Sequence, residues 1–294
     1  MTVRRLVLSG GGYMGIALYG AARQLHMMQR YAPENLTHIY GTSVGAILGT
    51  IVALKYDWDT VNDYIVKRPW EKVFHVDIET MVNAVSSCGI LDTEVINQVL
   101  VPLLGGKNIS TAVSLQEFKE ITGVSMTIVA TNSDLHPTYF SPDTHPHIRL
   151  TDAIRASCCI PVVFQPARIN DAIYIDGAFS DNFPITKCKE ECEDDAEYLA
   201  IGLDDRIKGS FNTNSIIEFI MSVFNMLLMQ IFCRPLKNID EKTVLIKHGG
   251  LSASGAIDII ANEQSRIDLI EYGVKVARDH TEKRNDLEKG DNNL

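Results

Sequence analysis

At 294 residues, 46% of them hydrophobic, the chain is long enough to bury a substantial core as one large domain or two small ones. Its formal charge of −10 argues against a nucleic-acid partner and leaves any membrane contact to apolar groups or a local basic patch. The six cysteines include no C-x-x-C pair, and no nearby His or Cys completes a zinc site at Cys188 and Cys192, so reduced thiols and no metal are expected.

Residues 1–5 pass at once into Leu6-Val7-Leu8, with no long apolar leader, which predicts a first strand rather than a signal peptide and an intracellular setting, cytoplasmic or peripheral to a membrane. Strand 5–9 leads through Gly10-Gly11-Gly12-Tyr13-Met14-Gly15 into a helix over 16–28. A second strand over 36–40 reaches Gly41-Thr42-Ser43-Val44-Gly45 and a helix over 46–55. Helical patterns follow at 57–67, 92–104 and 115–121, the last opened by the capping box Ser114-x-x-Glu117 and closed by Gly123. The stretch 70–87 has no clear periodicity.

Strands are predicted at 124–130, 138–140, 172–175, 198–203 and 243–247, with a short helix at 151–157 that Pro161 stops. Residues 215–232 form an apolar, Met- and Phe-rich helical pattern with polar residues on one stripe, a core helix, the lining of an acyl tunnel or a face that touches lipid. One long amphipathic helix is expected over 257–278, and residues 281–294 form a charged, frayed tail. With no linker or repeat, a single domain over 1–280 follows. Strands alternating with helices imply an α/β architecture, a mainly parallel sheet covered on both faces.

Three constellations carry chemistry. The loop at residues 10–15 matches the G-x-G-x-x-G dinucleotide fingerprint, but the second strand ends in a Gly-Thr-Ser turn where that reading wants an acid. Ile16-Ala17 stand where a phosphate-binding P-loop needs Lys and Ser or Thr. A run of glycines also offers backbone N–H groups to an oxyanion. The G-x-S-x-G turn is built to expose the Ser43 hydroxyl at a helix N-terminus, although an ordinary tight turn has the same residues. Asp176-Gly177-Ala178 ends a strand, taken as parallel, with a carboxylate aimed at the crevice, or is a plain Asp-Gly turn. Among the eight histidines, His136, His145 and His147 lie in a Pro-rich loop and His248 ends a strand; none announces a triad.

Taken together the three resemble the patatin-like phospholipase family, as do Ala156-Ser157-Cys158-Cys159-Ile160-Pro161 and Asn182-Phe183-Pro184, over about residues 5–185. The resemblance implies a three-layer patatin-like fold and a dyad without histidine: Ser43 as nucleophile, Asp176 as its base, and Gly10, Gly11 and Gly12 as the oxyanion hole. Gly15, Gly41, Gly45, Gly177 and Ala178 support the motifs. It implies no cofactor and a phospholipid or other acyl-ester substrate, with peripheral membrane contact and no nucleic acid. Met14 stands where the family often has Arg or Lys. That departure keeps open a protein that binds lipid without turnover, beside the less favoured nucleotide-binding enzyme.

Overall fold

The computed structural model describes residues 2–192, 198–204, 213, 219, 222–223, 226, 239–247 and 253–291. The apolar helix expected over 215–232 lies almost entirely outside the described residues, as does His248.

In chain order the elements begin with β1 (Arg5–Leu8), a 3-10 turn (Gly12–Met14), α1 (Gly15–Met27), β2 (His38–Thr42), α2 (Val44–Ala53), α3 (Trp58–Lys67) and α4 (Trp70–Val73). They continue with α5 (Ile78–Ser87), β3 (Gly89–Leu91), α6 (Glu94–Gly105), α7 (Leu115–Thr122), β4 (Ser125–Asn132), β5 (Pro137–Phe140) and α8 (Leu150–Cys158). The remainder comprises β6 (Val162–Phe164), β7 (Ala167–Ile169), β8 (Ala172–Asp176), α9 (Ala178–Asp181), α10 (Ile185–Glu190), β9 (Tyr198–Asp204), β10 (Thr243–Lys247), α11 (Ala253–Ala261) and α12 (Glu263–Asp291).

The main sheet runs β10-β9-β1-β2-β4-β8-β7, with β5 also on β4. β10, β9, β1, β2 and β4 are mutually parallel. Side chains alternate across it: Leu6, Leu8 and Ile39 enter the larger core under α1 and α2, while Val7 and Tyr40 meet Phe183, Ile185 and Cys188 on the other face. Burial on both faces explains the near-continuous apolar runs of the parallel strands.

The strand that ends in Asp176 departs from expectation, because β8 is antiparallel to β4 rather than parallel. β5 pairs with Ile128 to Thr131, overlapping the partners of both β2 and β8, so β2 and β8 must share the opposite edge of β4. They run toward each other along that edge, Thr42 facing Val129 and Asp176 facing Ala130. The carboxyl ends of two distant strands therefore meet end to end.

Other boundaries differ from expectation for local reasons. β2 extends through Gly41 and Thr42, held by pairing to Ile128 and Val129, and α2 starts directly after Ser43. The stretch without clear periodicity holds α4 and α5, the latter opened by a capping box between Asp77 and Thr80. The helix expected over 257–278 is two helices: Asn262 breaks it and accepts the Gln264 N–H at 2.9 Å, capping α12. α12 then continues to Asp291 over the segment expected as a tail, and Thr281 within it is buried.

α12 docks on α1 through two glycines. A Cβ at Gly273 would lie 2.0 Å from the Ala17 carbonyl oxygen, and one at Gly20 2.2 Å from that of Ile270. Gly273→Ala is expected to cost about 1–3 kcal/mol through overpacking against backbone. A denaturant midpoint equal to that of the wild type would refute this packing.

Candidate active site

Ser43 follows the last residue of β2 and precedes the first of α2, with φ 53° and ψ −125°. A non-glycine residue in this region carries roughly 1–3 kcal/mol of strain, so its surroundings must hold it. They do so at both ends of the residue. Its N–H donates to Ser157 Oγ at 2.7 Å, and its carbonyl accepts from Ala46 N–H at 2.8 Å. Glycines let three segments converge: a Cβ at Gly45 would stand 2.5 Å from the Leu8 carbonyl oxygen, at Gly41 2.8 Å from Ala46 N, and at Gly15 2.1 Å from Val44 Cγ2.

Asp176 and Ser43, 133 positions apart, are joined by a hydrogen bond from Ser43 Oγ to Asp176 Oδ2 at 2.7 Å. Asp176 is 1% exposed and Ser43 5%. The other carboxylate oxygen, Oδ1, accepts the Ala178 N–H at 2.9 Å, made possible by the turn at Gly177, where a Cβ would fall 2.1 Å from the Val129 carbonyl oxygen. Burial raises the Asp176 pKa to about 7, against the opposing pull of the Ala178 and Ser43 hydrogen bonds. Burial likewise pushes the neighbouring Cys158 and Cys159 thiols up, Cys159 to about 12, which keeps both protonated.

The glycine loop lies against the serine: a Cβ at Gly10 would be 3.3 Å from Ser43 Cβ. Its amides are not equivalent. Gly10 N–H donates to the Asn182 carbonyl at 3.0 Å, whereas the N–H groups of Gly11 and Gly12 have no partner among the described residues. The Gly10 amide is therefore engaged by the segment that follows Asp176. Met14 is buried in the main core, 4% exposed.

Ser157, part of a sequence motif that assigns it no role, joins the two halves of the site. Its hydroxyl accepts from Ser43 N–H and donates to the Val129 carbonyl, and its own carbonyl accepts from Gly177 N–H at 3.2 Å. The neighbouring Cys159 carbonyl accepts from Asp176 N–H at 2.9 Å. Thr131 adds a hydrogen bond from its hydroxyl to the Asp176 carbonyl at 2.8 Å. Among the described residues no histidine hydrogen-bonds either member of the pair, and His145 instead packs on Phe140 with ring centroids 4.8 Å apart. No group of three His, Cys, Asp or Glu side chains able to hold a metal occurs among the described residues.

A serine on a strained strand-to-helix turn, bonded to a buried carboxyl at the end of a mainly parallel sheet, places this α/β protein among folds with a serine–aspartate pair and a glycine loop. The chain belongs to the patatin-like phospholipase family, whose model matches residues 6–188. It is similar to a probable lipid hydrolase of Invertebrate iridescent virus 6, 25% identical over 62% of this chain and 62% of that protein. It is also similar to the uncharacterized protein YqhO of Bacillus subtilis, 24% identical over 91% of this chain and 94% of that one. Among solved structures the fold resembles VipD from Legionella pneumophila, with TM-score 0.51 and 16% identity over 96% of this chain and 67% of that one. The type III effector ExoU matches with TM-score 0.50 and 14% identity over 97% of this chain and 53% of that one. No helix among the described residues is long and apolar enough to cross a membrane.

Proposed function

We propose that this chain is a lipid acyl hydrolase that cleaves fatty-acyl esters of phospholipids or related lipids, with Ser43 as nucleophile and Asp176 as its base. The observation that carries the reading is the 2.7 Å hydrogen bond from Ser43 Oγ to a buried carboxyl whose pKa is raised to about 7. A carboxylate near the working pH is a far better proton acceptor than an exposed aspartate.

In the first half-reaction Ser43 Oγ attacks the ester carbonyl carbon while its proton passes to Asp176 Oδ2. The tetrahedral oxyanion is held by the Gly11 and Gly12 amides, with α2 adding its positive end. Collapse expels the alcohol, which takes the proton from Asp176 and leaves an acyl-serine. Water then gives a proton to Asp176 and attacks the acyl carbon. Asp176 returns that proton to Ser43 Oγ as the fatty acid leaves.

Asp176 must be ionised to accept the proton, so activity is expected to rise with pH and to level off above a limb near pH 7, the pKa of the buried carboxyl. kcat/KM for a short-chain chromogenic ester, measured from pH 5 to 9, checks this; a profile already level at pH 5, as the usual carboxylate value near 4 would give, contradicts it. The covalent step is tested by fluorophosphonate labelling located at Ser43 by mass spectrometry. Lipid binding without labelling or turnover would favour an inactive lipid-binding protein instead.

A further inference from the structure

The open groove of about 710 Å³ on the flank of the molecule lies apart from the dyad and is lined by residues that the hydrolase reading does not use. His145, His147 and Arg149 come from the loop before α8, Asp152 from its first turn, and Arg168 and Asn170 from β7 and the turn after it. Arg149 and Arg168 are exposed, and neither guanidinium has an ion-pair or hydrogen-bond partner among the described residues. Other arginines differ: Arg5 donates to Tyr40, Arg155 pairs with Glu94, and the Arg266 guanidinium is buried against the Val66 and Ile259 carbonyls.

In a chain of formal charge −10, two unpaired guanidinium groups brought together from separate segments are a concentrated exception. The single carboxylate on the groove wall, Asp152, is held by Arg155 at 3.2 Å. Guanidinium forks match the oxygens of a phosphate with charge and paired hydrogen bonds, and two imidazoles beside them extend the donor set. We propose that this groove binds the phosphate group of a ligand other than the hydrolysed lipid. From Leu150 to Ser157 α8 rises about 10 Å, so an occupant at its N-terminal end sits clear of Ser43 while resting on the helix that braces the dyad. The proposal holds whether or not Ser43 turns over.

The test follows thermal unfolding of the whole protein in inorganic phosphate, with chloride balancing ionic strength, and sedimentation with phosphatidylcholine vesicles with and without phosphatidate. A saturable rise in Tm with inorganic phosphate supports a soluble phosphate ligand. Phosphatidate-dependent sedimentation without that rise supports a lipid head group. In either arm the double variant Arg149→Gln/Arg168→Gln should bind about tenfold or more weakly, and both side chains are exposed and unpaired, so the fold is expected to persist. Failure of both probes to bind, or a double variant that binds as the wild type does, overturns the proposal.

Discussion

Ser43→Ala and Asp176→Asn are each expected to lower kcat for an acyl ester by about four orders of magnitude or more, because in the proposed mechanism nucleophile and base act as one unit. KM should change little, since neither side chain need contribute to ground-state binding of the acyl chain. Near-wild-type turnover by either variant, with identity confirmed by mass spectrometry, would sink the dyad.

The same Asp176→Asn change carries a stability signature of opposite sign. The folded pKa of about 7 lies above the ordinary value of 3.8, so between these values the folded state retains a proton that the unfolded chain releases. The stability contributed by the protonated carboxyl is present in full below about pH 4 and is lost as pH rises through 7. At pH 8 the buried carboxylate therefore costs on the order of 4 kcal/mol, which a neutral amide of the same shape avoids. The oxygen of the introduced amide can still accept the Ala178 N–H. The variant should melt higher than the wild type at pH 8 and nearly level with it at pH 4.5. A difference in melting that is the same at both pH values would exclude burial of a charged aspartate.

Ser157→Ala is the second large effect. It removes the acceptor of the buried Ser43 N–H and a donor to the Val129 carbonyl, and a buried group left unpaired costs about 1–3 kcal/mol. The strained turn then loses the bond that holds its amide. A shift of the serine oxygen by about 1 Å can lower the rate about a hundredfold. The expected result is a lower unfolding midpoint, kcat reduced about a hundredfold, and fluorophosphonate labelling slowed in proportion. Unchanged melting and labelling would show that Ser157 does not brace the nucleophile.

The glycine pattern made much of the site visible in one dimension. Gly41, Gly45 and Gly177 stand where backbone from another segment comes too close for a Cβ, and such positions leave a mark on sequence. Strands and helices with strong periodicity were equally legible, including α7, whose Ser114 and Glu117 make the expected reciprocal cap. Weakly patterned pieces were not: β3 and β6 are three residues each, too short to show alternation, and they pair with one another. Asn262 at the break between α11 and α12 lies within an apolar repeat that carries across it, so periodicity alone reads one helix.

What the sequence by itself determined is the set of groups proposed to react and the local turns that present them: a serine between glycines, an aspartate before a glycine, and a glycine loop after the first strand. Local backbone requirements reach only a few residues, and they are written in residue type. Which donors stay open and which groups meet was decided by tertiary structure. Asp176 reaches Ser43 because β2 and β8 abut on one edge of β4, Gly10 is closed by the Asn182 carbonyl, and Ser157 spans the joint. Burial, too, is a property of the assembled core, and it is burial that raises the Asp176 pKa into the range where an aspartate can serve as a base.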